Sequence, residues 1–458
     1  MLGHTQESLM RWTILCLFLA SSLCYHQSRN LEDLEFETVA LYGNTEVVAY
    51  YYTILLMGNP AQEQAVIVDT GSSILNFACS NCPQDYCGTH QHEHFSIEHS
   101  TTFAELTCAE VGSCAACRED RCQFSVHYSE GSQIHGVYVQ DEIRFDIYAA
   151  DSDGFRSNFV CNDKETNFIK SQRADGILGL NNKGHLIEDA YRDNPNIDHD
   201  VFSICIGHQG GYMNIGAAGP LVEEIGWIPY SEGNQYSIHL EKVTVNGETR
   251  SFQTARRPFL DSGTTDVFLE TSVYEFVIEQ LNEFCKQEGK CPGEKKTKGF
   301  DTCWIRPSDQ IEDRFFSLFP ELVFTFSGFD FAWHPAEYLS GYSQGMKPNN
   351  PEQASFYHCL SIQKYGHTIL GGPFMKNYNI IFDKGEKMVG FQRATCRPPI
   401  SDREHYEMIQ FILSKAELPK VTVHPRLEHE SEVAEDSLSP KSDNHWKIYT
   451  LVAVVLGL

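Results

Sequence analysis

Short apolar runs separated by Gly, Pro, Asn and Asp recur along most of the chain, a pattern typical of β-strands joined by tight turns. The run from Tyr51 to Met57, which ends at Gly58, is one example. A helical period is rare, and the clearest case lies between Ser272 and Cys285, with apolar residues at Val273, Phe276, Val277 and Leu281. The pattern predicts an all-β fold with a few short helices.

Two of the apolar runs lead into nearly the same polar string. The run Ala65 to Val68 is followed by Asp69-Thr70-Gly71-Ser72. The run Pro258 to Leu260 is followed by Asp261-Ser262-Gly263-Thr264. A strand and a closely similar four-residue string in each half of the chain indicate an internal repeat.

The repeated aspartates predict a specific chemistry. Two carboxylates that face each other can share one proton, because like charges about 3 Å apart cannot both ionise. One then acts as general base toward a water and the other as general acid toward the scissile carbonyl. We therefore expect Asp69 and Asp261 to catalyse peptide hydrolysis without a covalent intermediate. The flanking residues are expected to support the pair: Thr70 with Ser262 between the loops, Ser72 and Thr264 at the outer carboxylate oxygens, and Gly71 and Gly263 behind the aspartates.

A second repeat follows the first in each half. Ala174 to Leu180 contains Ile-Leu-Gly, and Thr368 to Gly372 contains Ile-Leu-Gly-Gly at nearly the same distance from its aspartate. Glycine after an apolar pair lets one backbone pass closely beneath another. With these motifs the chain resembles the pepsin family of aspartic proteases over about residues 45 to 400. The resemblance implies a bilobal fold of two pseudo-symmetric β lobes, in which each such strand supports one Asp loop.

The resemblance and the composition together predict the organisation of the chain. We expect a signal peptide at 1–24, a short pro-like segment at 25–44, an N-terminal lobe at 45–228 with a Cys-rich insert at 79–122, a C-terminal lobe at 229–400, a partly disordered stalk at 401–445 and an apolar tail at 446–458. We expect a monomer that needs no cofactor and no metal.

Length and charge limit the possible partners. With 458 residues and 41% hydrophobic content the chain can build two cores. A formal net charge of −27 argues against nucleic acid or an anionic membrane surface as a partner. Protein or peptide substrates are expected, and whether the charge attracts basic ones stays open at this point.

Both ends of the chain suggest the secretory pathway. Trp12 to Ala20 is an apolar run after Arg11, typical of a secretory signal and too short to span a bilayer. Residues 25–44 are acidic, so a basic prosegment released at low pH is not expected. The tail 446–458 covers about 20 Å as a helix, short of a hydrocarbon core of about 30 Å. It is interpreted as a membrane anchor, a lipid-anchor signal or an apolar tail that folds back.

The cysteines favour an oxidising compartment. Removing Cys16 and Cys24 from 16 cysteines leaves an even 14. Two Cys-x-x-Cys pairs could ligate zinc, but disulfides are the stronger interpretation in a secreted chain. Parity places eight in the first lobe and six beyond it: Cys79, Cys82, Cys87, Cys108, Cys114, Cys117, Cys122 and Cys161, then Cys205, Cys285, Cys291, Cys303, Cys359 and Cys396. The insert also contains His90, His92 and His94, interpreted as part of a polar loop, with a metal site as the alternative.

A further segment resembles the substrate-covering hairpin of the family, called the flap. In Val126 to Gly136 the residues Tyr128, Glu130 and Gly131 match the flap pattern. With the Cys-rich insert, this pattern resembles the plasmepsin V group of apicomplexan secretory-pathway proteases, which cut after an Arg-x-Leu motif. The resemblance implies that Glu130 contacts a substrate Arg, and that the protein is lumenal and membrane-attached in the endoplasmic reticulum or Golgi. Ser129 stands where that group has Cys.

Two alternatives compete with a processing protease. A digestive or vacuolar acid protease would be expected to carry a basic prosegment and no anchor. An inactive relative that keeps the lobes as a binding module would be expected to lose an aspartate or distort a motif. Both Asp69 and Asp261 are present with their glycines, which favours the enzyme.

Overall fold

The computed structural model describes residues 36–45, 48–112, 114–128, 131–145, 154–195, 197, 199–219, 224–298, 301–307, 310–344 and 355–399. The predicted signal peptide, stalk and apolar tail, and residues 25–35 of the pro-like segment, lie outside the described residues. Within the described part, no helix is long and apolar enough to cross a membrane.

Strands dominate the described residues. In the first half they are β1 (Glu37–Asn44), β2 (Tyr50–Met57), β3 (Gln62–Asp69), β4 (Leu75–Ala78), β5 (Ala104–Glu105), β6 (Ala116–Arg118), β7 (Arg121–His127), β8 (Gln133–Arg144), β9 (Phe155–Glu165), β10 (Gly176–Gly179), β11 (Val201–Gly207), β12 (Gly210–Ile215) and β13 (Gly226–Pro229). In the second half they are β14 (Leu240–Val245), β15 (Glu248–Ser251), β16 (Phe259–Leu260), β17 (Val267–Glu270), β18 (Glu294–Lys298), β19 (Asp301–Arg306), β20 (Leu322–Phe326), β21 (Phe329–Trp333), β22 (Leu339–Gln344), β23 (Ser355–Leu360), β24 (Ile362–Tyr365), β25 (Ile369–Leu370), β26 (Tyr378–Asp383) and β27 (Met388–Arg393).

The helices are mostly short. They are α1 (Gln84–Cys87), α2 (Cys108–Val111), α3 (Asn167–Ser171), α4 (Leu186–Asp193), α5 (Thr271–Cys285), α6 (Glu312–Phe316), α7 (Pro335–Tyr338) and α8 (Gly372–Met375). The predicted helix at 272–285 is α5, and the apolar residues that predicted it are buried. The prediction of an all-β fold with a few short helices is confirmed.

Each half contains the same arrangement of three strands around its Asp loop. In the first half β10 pairs parallel with β3 and antiparallel with β4. In the second half β25 pairs parallel with β16 and antiparallel with β17. In both halves the loop after the aspartate connects the two outer strands. The two halves are therefore pseudo-symmetric at the point where the aspartates lie.

One sheet contains strands from both halves. Its order runs β13-β27-β26-β11-β12-β1-β2-β3-β10-β4-β9-β8-β7-β6, and three four-stranded sheets complete the second half. The expected lobe boundary falls at β13, which pairs with β27 near the end of the described chain. One hydrophobic cluster likewise contains buried residues of both halves. Val39 is its first member along the chain and Phe391 its last.

The beginning of the folded body differs from the sequence-based division. Strand β1 lies within the span 25–44 that was assigned to a pro-like segment. It pairs with β12 over Glu37 to Leu41 and with β2 over Tyr42 to Asn44. Val39 and Leu41 of β1 are buried. Residues 37–44 therefore belong to the body, because burial of their apolar face depends on partners far along the chain.

Candidate active site

The first Asp loop begins where β3 ends. Every residue from Ala65 to Asp69 is buried, so the strand carries the carboxylate into the interior. The backbone N–H of Gly71 donates to Asp69 Oδ1 at 2.8 Å. The hydroxyl of Ser72 donates to Asp69 Oδ2. Both oxygens of this buried carboxylate therefore accept hydrogen bonds from its own loop.

The second loop repeats these contacts after β16. The backbone N–H of Gly263 donates to Asp261 Oδ1 at 3.1 Å. The hydroxyl of Thr264 donates to Asp261 Oδ2 at 2.7 Å. The hydroxyl groups expected to hold the carboxylates are therefore in place in both loops.

The two loops bind each other through reciprocal hydrogen bonds. Thr70 Oγ1 donates to Leu260 O and accepts from Ser262 N, both at 3.0 Å. Ser262 Oγ donates to Val68 O at 2.7 Å and accepts from Thr70 N at 3.0 Å. These four buried bonds join the halves directly beside the carboxylates, as the sequence predicted for Thr70 and Ser262.

Glycine is required on both sides of the pair. A Cβ on Gly71 would lie 2.6 Å from the carboxylate atoms of Asp261. A Cβ on Gly263 would lie 2.5 Å from Asp69 Oδ1. Real Cβ atoms do not approach other atoms this closely, so any other residue would push the aspartates apart. The side chains of Asp69 and Asp261 thus face each other across two closely apposed loops.

Burial and mutual repulsion control the protonation of the pair. Burial raises the pKa of Asp69, while hydrogen bonds from Ser72 and Gly71 oppose the rise. Burial also raises the pKa of Asp261 well above its usual range, and the charge of Asp69 raises it further. Because the carboxyl groups share a hydrogen bond, the proton is retained more readily at Asp261.

The Ile-Leu-Gly strands, β10 and β25, hold the Asp loops through backbone hydrogen bonds. Gly179 pairs with Asp69 in the β3–β10 register, and Leu180 N donates to Asp69 O at 2.8 Å. In the second half Asp261 N donates to Leu370 O at 3.1 Å. Both aspartate backbones are therefore fixed by the neighbouring parallel strand, as the resemblance implied.

The predicted flap corresponds to the β7–β8 hairpin. Tyr128 follows β7 and is buried, and its N–H donates to Ser132 O at 2.9 Å. Gly131 N donates to Tyr128 O at 2.9 Å, and Gly131 has a φ of +95°, which favours glycine. Ser129 and Glu130 lie outside the described residues.

All fourteen predicted cysteines are in disulfides. The bridges are Cys79–Cys161, Cys82–Cys87, Cys108–Cys117, Cys114–Cys122, Cys205–Cys396, Cys285–Cys291 and Cys303–Cys359. Eight cysteines pair within the first half, which includes Cys161 as parity indicated. The zinc alternative does not fit, because the sulfur atoms of both Cys-x-x-Cys motifs are bonded to other cysteines.

The three histidines of the insert line one cavity but have different hydrogen-bond partners. His90 Nε2 lies 3.0 Å from Glu165 Oε2, and His92 Nδ1 lies 2.6 Å from Asp175 Oδ2. His94 Nδ1 lies 3.1 Å from the carbonyl oxygen of Cys82. In the part of the chain that the structure describes, the three do not join any cluster of three ligand atoms within 4.8 Å.

Sequence reasoning missed three residues that contact these elements. Gln235 Nε2 donates to Gly71 O at 2.9 Å and so supports the first loop from the second half. Asn167 Nδ2 donates to Gly131 O at 2.7 Å. Glu165 forms the buried pair with His90. No motif surrounds these residues, and their roles depend on contacts between distant segments.

Two apposed Asp-Thr/Ser-Gly loops on a duplicated β fold define the class of aspartic peptidases. The chain belongs to the eukaryotic aspartyl protease family, whose model matches residues 50–394. It is therefore an aspartic-type endopeptidase with the pepsin-like bilobal fold.

Three relatives are informative comparisons. Aspartic protease 5 of Toxoplasma gondii is 28% identical, over 78% of this chain and 37% of that protein. Plasmepsin V of Plasmodium falciparum is 23% identical, over 78% of this chain and 73% of that protein. Aspartic proteinase nepenthesin-1 of Nepenthes gracilis is 23% identical over 81% of this chain. The chain thus spans little more than a third of the length of the Toxoplasma relative.

Proposed function

We propose that Asp69 and Asp261 are the catalytic pair of this endopeptidase. The observation that carries the proposal is the apposition of two similar loops, in which a β-carbon on either glycine would lie within 2.6 Å of the opposite carboxylate. Asp69, stabilised as an anion by Gly71 and Ser72, acts as general base toward a water. Asp261, whose pKa is raised well above its usual range, donates its proton to the scissile carbonyl.

We further propose that the enzyme works in the secretory pathway. Seven disulfides support this location, because such bonds form and persist in oxidising compartments. The resemblance to the plasmepsin V group supports the endoplasmic reticulum or Golgi. Membrane attachment through residues 446–458, which lie outside the described residues, is part of the same proposal.

A buried histidine supports a near-neutral compartment over an acidic one. The side chain of His358 is 2% exposed and packs against Phe315 and Phe316. Burial, together with the charges of Arg306 and His208, lowers the pKa of His358 to about 4. Burial of the neutral imidazole therefore contributes most to stability above about pH 6.5 and less as the pH falls toward 4, which favours a near-neutral compartment.

The proposed substrates are secreted or exported proteins with an Arg near the cleavage site. Support comes from Glu130, two residues after Tyr128, and from the net charge of −27. A carboxylate beside a cleft can accept the two parallel N–H groups of a guanidinium. Lysine provides a point charge without this fork, so it is expected to be a poorer substrate residue.

Cleavage of matched peptides tests the substrate preference. Peptides would carry Arg, Lys or Ala two residues before the residue at the scissile bond. For the wild type we expect kcat/KM for Arg to exceed that for Ala by about tenfold to a hundredfold, the value of one charge-assisted pair. Glu130→Gln should remove most of this difference, whereas Glu119→Gln, an exposed acid of the insert, should keep it.

The outcomes separate the parts of the proposal. Equal cleavage of the Arg and Ala peptides by the wild type would remove the Arg preference and leave a general aspartic endopeptidase. Absence of cleavage of a diverse peptide library at every pH from 4 to 8 would instead favour the inactive binding module.

A further inference from the structure

The returning strand of the β7–β8 hairpin is held from one side by the segment that begins helix α3. Four hydrogen bonds of 3.1 Å or shorter join residues 131–133 to residues 166–168. They are Asn167 Nδ2 to Gly131 O at 2.7 Å, Gln133 N to Thr166 Oγ1 at 2.8 Å, Thr166 N to Gln133 O at 3.1 Å and Phe168 N to Ser132 Oγ at 3.1 Å. Three of these four bonds involve a side chain, so they depend on residue identity and not on strand pairing alone.

Asn167 adopts an unusual backbone conformation to make its contact. Its φ is +51°, in the left-handed region that non-glycine residues rarely enter. Asparagine tolerates this region better than most residues. The conformation directs the side-chain amide of the first residue of α3 to the carbonyl of Gly131. A strained residue that makes a specific contact beside a functional loop suggests a role in that loop.

A buried ion pair fixes the segment that precedes α3. The side chains of His90 and Glu165 are 1% and 0% exposed, and His90 Nε2 lies 3.0 Å from Glu165 Oε2. Asn162 Nδ2 donates to the other carboxylate oxygen of Glu165 at 2.8 Å. Burial lowers the pKa of His90, but Glu165 outweighs this effect and raises it to about 8. His90 is therefore protonated at neutral pH, and hydrogen bonds hold both side chains of the pair in place.

The pair connects this segment to the Cys-rich insert. His90 follows the Cys82–Cys87 bridge, and its Nδ1 lies 2.9 Å from the carbonyl oxygen of Gln172, just after α3. At Gly88 the backbone approaches Lys170 of α3 so closely that a Cβ would lie 2.0 Å from its carbonyl oxygen. The insert thus contacts the C-terminal end of α3 and Glu165 of β9 before it, and the N-terminal end of α3 contacts the hairpin.

We propose that Asn167 and the His90–Glu165 pair are positioning residues that fix residues 131–133 of the hairpin and transmit the conformation of the Cys-rich insert to them. The inference rests on the proposed role of the hairpin in covering bound substrate. Hairpins of this kind must open for substrate entry and close for catalysis. A hairpin held on one side opens less often and remains close to its closed position.

Asn167→Asp tests this role with little change of shape. Aspartate also tolerates the left-handed region, but its carboxylate cannot donate to Gly131 O. With a peptide that the wild type cleaves, we expect kcat/KM to fall about fivefold, mainly through a higher KM, the effect of one lost hydrogen bond. Hydrogen–deuterium exchange of residues 126–136 should accelerate. The matched control is Asn246→Asp, an exposed asparagine with a φ of +53° in the β14–β15 turn, which should leave both measurements unchanged.

A second variant tests the link to the insert. Glu165→Gln keeps hydrogen-bonding capacity but removes the charge that pairs with His90. We expect faster hydrogen–deuterium exchange of residues 126–136. In the double variant with Asn167→Asp, the reduction of kcat/KM should be smaller than the product of the reductions in the two single variants. Thermal melting would show whether each variant is folded, and exchange is measured on the folded fraction if Glu165→Gln is unstable.

The results distinguish this inference from the proposed function. Wild-type KM and wild-type exchange in Asn167→Asp would overturn the positioning role while leaving the catalytic pair untouched. Independent, multiplicative effects of the two variants would overturn the link between insert and hairpin. Full activity in Asp69→Asn would contradict the proposed catalytic pair. No result at Asn167 can produce that outcome.

Discussion

At the scale of single residues, the site depends on a few groups with almost no freedom. The aspartates are fully buried, each is held by its own loop, and each glycine leaves room for the opposite carboxylate. The cost of burying two acids is reduced because they share a proton instead of both carrying charge. The residues are therefore positioned for proton transfer before substrate arrives.

The dyad leads to the first prediction at this scale. Asp69→Asn and Asp261→Asn each remove one proton-transfer partner, so turnover should fall at least about a hundredfold. The fold should persist, because the Asn Oδ1 can still accept from the glycine N–H while its Nδ2 donates to the oxygen of the Ser or Thr hydroxyl. Steady-state cleavage and thermal melting check this, with the exposed Asp163→Asn as control. A dyad variant retaining more than about a tenth of wild-type turnover would contradict the mechanism.

At the scale of elements, the Cys-rich insert is a compact unit closed by its own bridges. Three of the seven disulfides lie within residues 79–122, and Cys79–Cys161 fastens the insert to β9. Short loops with few apolar residues rarely fold without such constraints. The bridges therefore place His90 of the insert beside Glu165 of β9 and Gln172 after α3.

The disulfide pairing leads to a prediction about the number of free thiols. The folded body should contain no free thiol and bind no stoichiometric zinc, since all fourteen cysteines are paired. Thiol titration under denaturing conditions, together with metal analysis of the purified mature protein, measures both quantities. Four or more titratable thiols accompanied by bound zinc would reverse the assignment.

At the scale of the whole molecule, the two halves form one structure. Strands β11 and β12 pair with β1 and β26, the hydrophobic core is continuous, and Cys205–Cys396 joins the halves covalently. The reciprocal bonds of Thr70 and Ser262 add a second connection at the site. The geometry of the aspartates is therefore sensitive to the stability of the whole molecule.

That stability should depend on pH through His358. Its folded pKa of about 4 lies below the unfolded value of about 6.5. The unfolded chain therefore binds the proton more readily, so the contribution of His358 is complete above pH 6.5 and is lost as pH falls toward 4. The free energy of unfolding should decrease by about 3 kcal/mol from this group across that range.

Chemical denaturation at several pH values would measure this contribution. The raised pKa values of the dyad act in the opposite direction, so the informative quantity is the difference between wild type and His358→Phe. Phenylalanine preserves contact with the Phe315 and Phe316 rings and does not titrate. The stability difference should shift in favour of the variant as pH falls from 6.5 to 4. A difference independent of pH, or equal to that of the exposed His99→Phe, would contradict the assignment.

The sequence alone determined the class of fold and of enzyme. Repeated apolar-Asp-Thr/Ser-Gly strings predicted the two facing aspartates, the hydroxyls that contact them and the pseudo-symmetric strands, because these features depend on local patterns that recur at fixed spacing. Parity and compartment also identified which cysteines are paired. All of these inferences use residue type and sequence distance alone.

Tertiary structure decided the rest. The pairing of the cysteines, the inclusion of β1 in the body, the contact of Gln235 with the first Asp loop and the link from His90 through Glu165 to the hairpin all join segments far apart in sequence. No local pattern marks such contacts, because a glutamine or an acidic residue is predicted to be solvent-exposed until its partner in the fold is known. Burial then gives them their strength, because a polar group removed from water depends on the partner that the fold supplies.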